Sequence, residues 1–172
     1  MKYVLGILSA LVIVAVLIFC PTGSDVEVEY LRIHIRANSN LECDQNVKYK
    51  VKDAIVEALI PVLSEVETFD ETKEKVSQNF ALIENTADSV LAQNGFTYKS
   101  NAKLDNEYFP TRTYENITLE EGYYDALILE LGSGTGDNWW CIVFPAFCFT
   151  KTKKSDNVVY ISRIWEIIQS VI

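Results

Sequence analysis

One histidine, His34, is all the chain carries in 172 residues. A Cys–His or Ser–His hydrolase needs a base oriented by a third group, at the end of an element or in a loop. His34 instead sits mid-strand between Ile33 and Ile35, opposite the apolar phase, and is expected as a partly exposed strand residue. A zinc site needs four ligands at defined spacings. One His with Cys43, Cys141 and Cys148 resembles none of those patterns, so neither metal nor cofactor is expected. Positive charge is also scarce. Fifteen Lys and Arg stand against 24 Asp and Glu, a net charge of −9. Such a field repels phosphate and argues against nucleic-acid binding. There is a single long apolar run, which excludes a polytopic membrane protein. Apolar residues make up 49% of the chain, too many for a disordered one.

The apolar run spans Tyr3 to Cys20, with 16 apolar residues of 18 and no charge. As a helix it reaches roughly 27 Å, close to the bilayer core. Lys2 precedes it, and Asp25, Glu27 and Glu29 follow. That asymmetry holds Lys2 in the cytoplasm and exports the rest. Two readings stay open: a signal peptide cleaved near Ser24, or a retained anchor. Cys20 stands where a lipoprotein acceptor would, but Phe19 occupies a position that calls for a small residue. Residues 1–24 are thus a signal peptide or membrane anchor, and residues 25–172 a single exported domain.

In that domain, Leu31, Ile33 and Ile35 alternate with Arg32, His34 and Arg36, a strand with one apolar face. A helix is expected from about Asp44, with Val47, Val51, Ile55 and Leu59 on its stripe and Pro61 kinking or ending it. Thr68 and Glu71 have capping-box spacing for a second helix. Its stripe of Val76, Phe80, Ile83, Ala87, Val90 and Leu91 stops at Asn94-Gly95. Strands are expected over 96–104, 123–131 and 139–144, the last apolar throughout and so central. Residues 109–114 read as extended, and 158–172 as a closing helix. The order defines an α+β fold, a mainly antiparallel sheet with helices packed on one face, preceded by the N-terminal apolar helix.

Gly132, Gly134 and Gly136 invite a phosphate-loop reading. The loop leads into a strand, however, and no helix N-terminus follows to hold an anion. A mobile loop is expected instead. Cys141 and Cys148 enclose six residues around Pro145. In a non-reducing compartment they are expected as a disulfide, with two buried free thiols as the alternative and Cys43 left over. Trp139 and Trp140 are adjacent in a strand and face opposite sides, so one of them leaves the core. Arg112 is a cation in a strongly acidic chain. Arg112 with Trp139 or Trp140 has the composition of a partner-binding surface, and internal pairing of Arg112 with an acid is the alternative.

Longer stretches carry a resemblance. Residues 31–40 (LRIHIRANSN), Asp44-Gln45 and residues 50–54 resemble the opening of the stage II sporulation protein R family. Residues 109–114 (FPTRTY) are similar to its middle motif, and 121–126 with 132–149 to its third. Glu115, where the family often has Gly, and Ala146-Phe147, where Pro-Leu is common, depart from the pattern. The resemblance implies a forespore protein exported to the septal intermembrane space. There it would trigger a membrane-bound aspartic protease of the mother cell, which processes the precursor of the mother-cell sigma factor. It implies a signal and not an enzyme. The competing classes are an exported cell-wall hydrolase, working through Cys43, Cys141 or a carboxylate, and a glycan-binding module using an exposed Trp.

Overall fold

The computed structural model describes residues 29–114 and 117–145. The apolar run, Cys148 and the expected closing helix lie outside the described residues. Strand β1 (Leu31–Arg36) is followed by helices α1 (Glu42–Leu63), α2 (Phe69–Gln78) and α3 (Phe80–Gln93). Strands β2 (Ser100–Phe109), β3 (Arg112–Tyr114), β4 (Ile117–Leu119), β5 (Gly122–Leu131) and β6 (Asn138–Phe144) complete the order. No helix among the described residues is long and apolar enough to cross a membrane.

The helices form where the apolar stripes lie. On α1 the stripe Val47, Val51, Ile55 and Leu59 is buried, and the helix runs two residues past Pro61 to the buried Leu63. Thr68 Oγ1 accepts from the Glu71 amide at 3.2 Å, capping α2. The expected single second helix is two helices, broken at Asn79. The Asn79 side chain donates to the Lys75 carbonyl at 2.8 Å, competing with the helical ladder. At the end of α3, Gly95 takes φ +83°. Its amide donates to Ala92 O and that of Phe96 to Leu91 O, the bond pair that a left-handed glycine cap provides.

The sheet is mixed: two of its three ladders are antiparallel, in line with the mainly antiparallel expectation, and one is parallel. Its order is β2-β5-β1-β6, with β1 parallel to β5 and antiparallel to β6. Among the described residues the central strands are therefore β1 and β5, and β6, expected to be central, lies at an edge. It is apolar throughout because both its faces are covered: Cys141 and Val143 meet the helices, while Trp140 meets a second layer. Strand β2 runs five residues past its expected end, paired with β5 along its whole length from Ser100↔Leu131 to Phe109↔Gly122. The small β3–β4 hairpin follows β2.

The main core lies between the helices and one face of the sheet. Leu31, Ile33 and Ile35 of β1 and Leu127, Leu129 and Leu131 of β5 are fully buried there against α1, α2 and α3. The opposite face holds a smaller cluster of Phe109, Ala126 and Ile128, flanked by Tyr124 and Trp140.

Candidate functional site

Strand alternation sends Arg32, His34 and Arg36 to this second face. Arg32 is 0% exposed. Its Nη2 donates to the Tyr114 hydroxyl at 2.8 Å, and the guanidinium lies 4.1 Å from the Phe109 ring centre and 4.9 Å from that of Tyr124. Among the described residues, Nε and Nη1 have no hydrogen-bond partner. Cation–π attraction therefore carries most of what compensates this buried charge. His34 is buried, not partly exposed as expected, because Phe109 and Trp140 close over it at 5.7 and 5.5 Å. Its Nδ1 meets Glu107 Oε2 at 2.8 Å. Glu107 also pairs with Arg36, which donates to Glu130 at 2.8 Å. Glu107 comes from β2 and Glu130 from β5, so three strands assemble one charged network. Sequence reasoning missed it. The visible signal was three basic residues on one strand face, but their partners depend on which strands flank β1.

The structure brings Arg112 and Trp140 together. The guanidinium of Arg112, exposed on β3, lies 4.3 Å from the Trp140 ring centre. No acid is ion-paired to Arg112 among the described residues. Trp139 points the other way, into the helix layer, with Lys52 Nζ 5.7 Å from its ring. The two Trp residues thus divide between faces as strand geometry requires, and only Trp140 joins Arg112. Cys141 is buried on β6. Cys43 is an exposed free thiol in the first turn of α1. It stands on the helix side of the sheet, while His34 points to the opposite side, so the two form no catalytic dyad.

The glycine loop is not mobile in the way expected; it is clamped. Both β5 and β6 flank β1, so the connection 132–137 must cross over the end of β1, roughly 10 Å from strand to strand. It lies directly on the turn after β1. The amide of Gly136 donates to Ala37 O at 2.9 Å, and that of Ser133 to Asn38 Oδ1 at 3.0 Å. The hydroxyls of Ser133 and Thr135 donate to Asn38 O. A Cβ at Gly136 would collide with the Ser39 carbonyl oxygen, which is why glycine stands there. Beneath the turn, the buried Asp44 accepts from Ser39 at 2.5 Å, Tyr98 at 2.7 Å and Asn38 at 3.0 Å. Burial alone would raise its pKa, but these hydrogen bonds outweigh it and hold the carboxyl below its usual value. Lys48, also buried, donates to Gln45 Oε1 and to Asp137 O, and burial pushes its pKa down. The residues of the first and third resemblance motifs therefore form one hydrogen-bonded knot.

The arrangement defines a class: an α+β domain whose polar groups converge on structural knots. Among the described residues no group of His, Cys, Asp or Glu could hold a metal ion. The profile of the family described as Stage II sporulation protein R (spore_II_R) matches residues 27–154, and the chain belongs to that family. Stage II sporulation protein R of Bacillus subtilis (strain 168) is 29% identical over 128 residues, 74% of this chain and 57% of that protein. The match thus spans a little over half of the relative's length. No solved structure matches the chain. Membership supports a role in sporulation.

Proposed function

We propose that the domain is an exported signal between the two cells of a developing sporangium. Its partner is a membrane-bound aspartic protease of the mother cell, which on contact processes the precursor of the mother-cell sigma factor. Residues 1–24 direct export and, if retained, tether the domain at the septum. Membership of the family supports this reading, and the observation that carries the contact surface is the Arg112–Trp140 stack. An exposed guanidinium on a half-buried indole, without an ion-paired acid among the described residues, is the kind of anchor that interface centres use. A disulfide between Cys141 and Cys148 would fix the end of β6 beside that stack.

The test is co-expression of the full chain with the protease and its sigma precursor in cells that otherwise lack them. The expected result is cleaved precursor with the intact chain and a marked loss with a folded, exported Arg112→Ala chain. Uncleaved precursor with the intact chain would sink the signalling reading. Full cleavage with Arg112→Ala would remove Arg112 from the contact surface.

A further inference from the structure

Two guanidiniums on the second face lack an acid. Among the described residues no carboxylate is ion-paired to Arg32 or Arg112. The two are near neighbours. Arg112 and Tyr114 are two apart on β3 and so share a face, roughly 7 Å from each other. The Tyr114 hydroxyl holds Arg32, and Arg112 stacks on Trp140. The acids of this face gather elsewhere. Glu107 serves His34 and Arg36, while Glu130 serves Arg36 and, at 3.7 Å, Lys103. Asp105 stands 3.8 Å from Lys103. These three carboxylates lie on β2 and β5, around Arg36 and Lys103. Four cations share the face with them, so the excess charge falls at the Arg32–Arg112 end. At the base of the hairpin, Glu120 accepts from Thr111 at 3.4 Å and Glu121 faces the Tyr108 hydroxyl.

Stacking occupies the flat face of the Arg112 guanidinium and leaves its edge free. The N–H groups lie in the guanidinium plane, so the Trp140 ring at 4.3 Å takes none of them. A planar fork held by a ring and open at its edge is preset for two parallel bonds to a carboxylate. Behind it Arg32 is fully buried, so little water screens its charge and its field reaches the same place. The chain as a whole, at −9, disfavours a multiply charged anion such as phosphate. A single carboxylate matches the local excess.

We infer that the Arg112–Trp140 surface seats a carboxylate, an Asp or Glu side chain of the partner protein. Arg112 binds it through the edge of its guanidinium, and the buried charge of Arg32 favours it from behind. The inference rests on the reading of that stack as the contact surface, and adds the chemistry of the group it meets.

The test uses the full-length chain in detergent micelles and two blocked, rhodamine-labelled tetrapeptides, one of glutamate and one of glutamine. Binding is read by fluorescence anisotropy. Against the net charge of the chain, the glutamate peptide should bind about fivefold more tightly, the worth of one exposed charge pair. The preference should fade as salt rises. Arg112→Gln should abolish it, and Arg112→Lys, which keeps the charge and loses the fork, should keep only part of it. Arg32→Met should lower it about twofold, in a chain that circular dichroism shows to be folded. Lys75→Gln removes an exposed cation on α2 and should change nothing. Equal binding of the two peptides, a preference that survives Arg112→Gln, or one lost with Lys75→Gln overturns the proposal. Inorganic phosphate displacing the glutamate peptide more strongly than equimolar acetate would make this a phosphate site and equally overturn it. An unchanged preference in Arg32→Met overturns the part assigned to the buried charge. Co-expression separates the two readings. Cleaved precursor without the preference removes the carboxylate seat alone. The preference without cleaved precursor keeps the seat and removes the protease as its partner.

Discussion

The two faces of the sheet solve the burial problem differently. Strand β1 belongs to both. Its odd residues Leu31, Ile33 and Ile35 are sealed under three helices by apolar contact alone. Its even residues Arg32, His34 and Arg36 are sealed by rings and carboxylates from β2, β3, β5 and β6. Apolar contact needs only volume, and many partners satisfy it. The second face needs particular groups at particular places, and two guanidinium nitrogens of Arg32 stay without a partner among the described residues even so. The helix face supplies stability, and the second face fixes where the β3–β4 hairpin, and with it Arg112, comes to rest.

The largest effect should come from the helix face. Ile33→Ala leaves a void among fully buried neighbours and should cost about 3–4 kcal/mol in denaturant unfolding. The matching change on the other face is Arg32→Met, which keeps the ring contacts and removes a buried, incompletely bonded charge. It should cost no more than about 1 kcal/mol. If Arg32→Met destabilises as strongly as Ile33→Ala, the contrast between the faces is wrong.

Next in size is the clamp over the end of β1. Gly136→Ala should cost about 2 kcal/mol, since the new methyl must displace the Ser39 carbonyl. Faster amide exchange at Ser133 and Asp137 would accompany it. An unchanged melting temperature would mean that the loop is not held as described.

The clamp also makes a pH prediction. Asp44 has its carboxyl pKa lowered in the folded chain by hydrogen bonds that outweigh burial. A depressed folded pKa contributes stability that is fully present above the unfolded value, about 3.9, and is lost as pH falls through the folded one. The intact chain should therefore lose stability below about pH 4 more steeply than Asp44→Asn, which has no charge to protonate there. Coincident acid slopes for the two chains would refute the assignment.

The helix face was legible in the sequence because period 3.6 and period 2 report burial directly. The stripe of α1, the Thr68 cap and the Gly95 stop all follow from local chemistry. Strand order was not legible. Nothing local in Trp139–Phe144 distinguishes a central strand from an edge strand covered on both sides, and nothing in Leu31–Arg36 announces a parallel partner some 90 residues on. From that one missing fact came the errors about the glycine loop and His34. A loop joining adjacent strands could swing freely, whereas a loop crossing over β1 must lie on it. The division of Trp139 and Trp140 was legible, since alternation alone dictates it, but which one meets Arg112 depends on the hairpin.

The smallest stability effect is expected at Arg112, and its smallness is informative. The guanidinium is exposed, so its attraction to Trp140 is worth about 0.5–1 kcal/mol. Arg112→Ala should shift unfolding by no more than that, while indole fluorescence changes as Trp140 loses its cover. Arg112→Lys keeps the charge but loses the planar surface that stacks on the ring. If stacking fixes the residue, Lys should resemble Ala in fluorescence and fall between Ala and Arg in stability. If charge alone mattered, Lys would match the intact chain in both. A loss above 2 kcal/mol for Arg112→Ala would show that the hairpin is anchored through this residue, making Arg112 part of the second face's packing and removing the ground for treating it as a surface group.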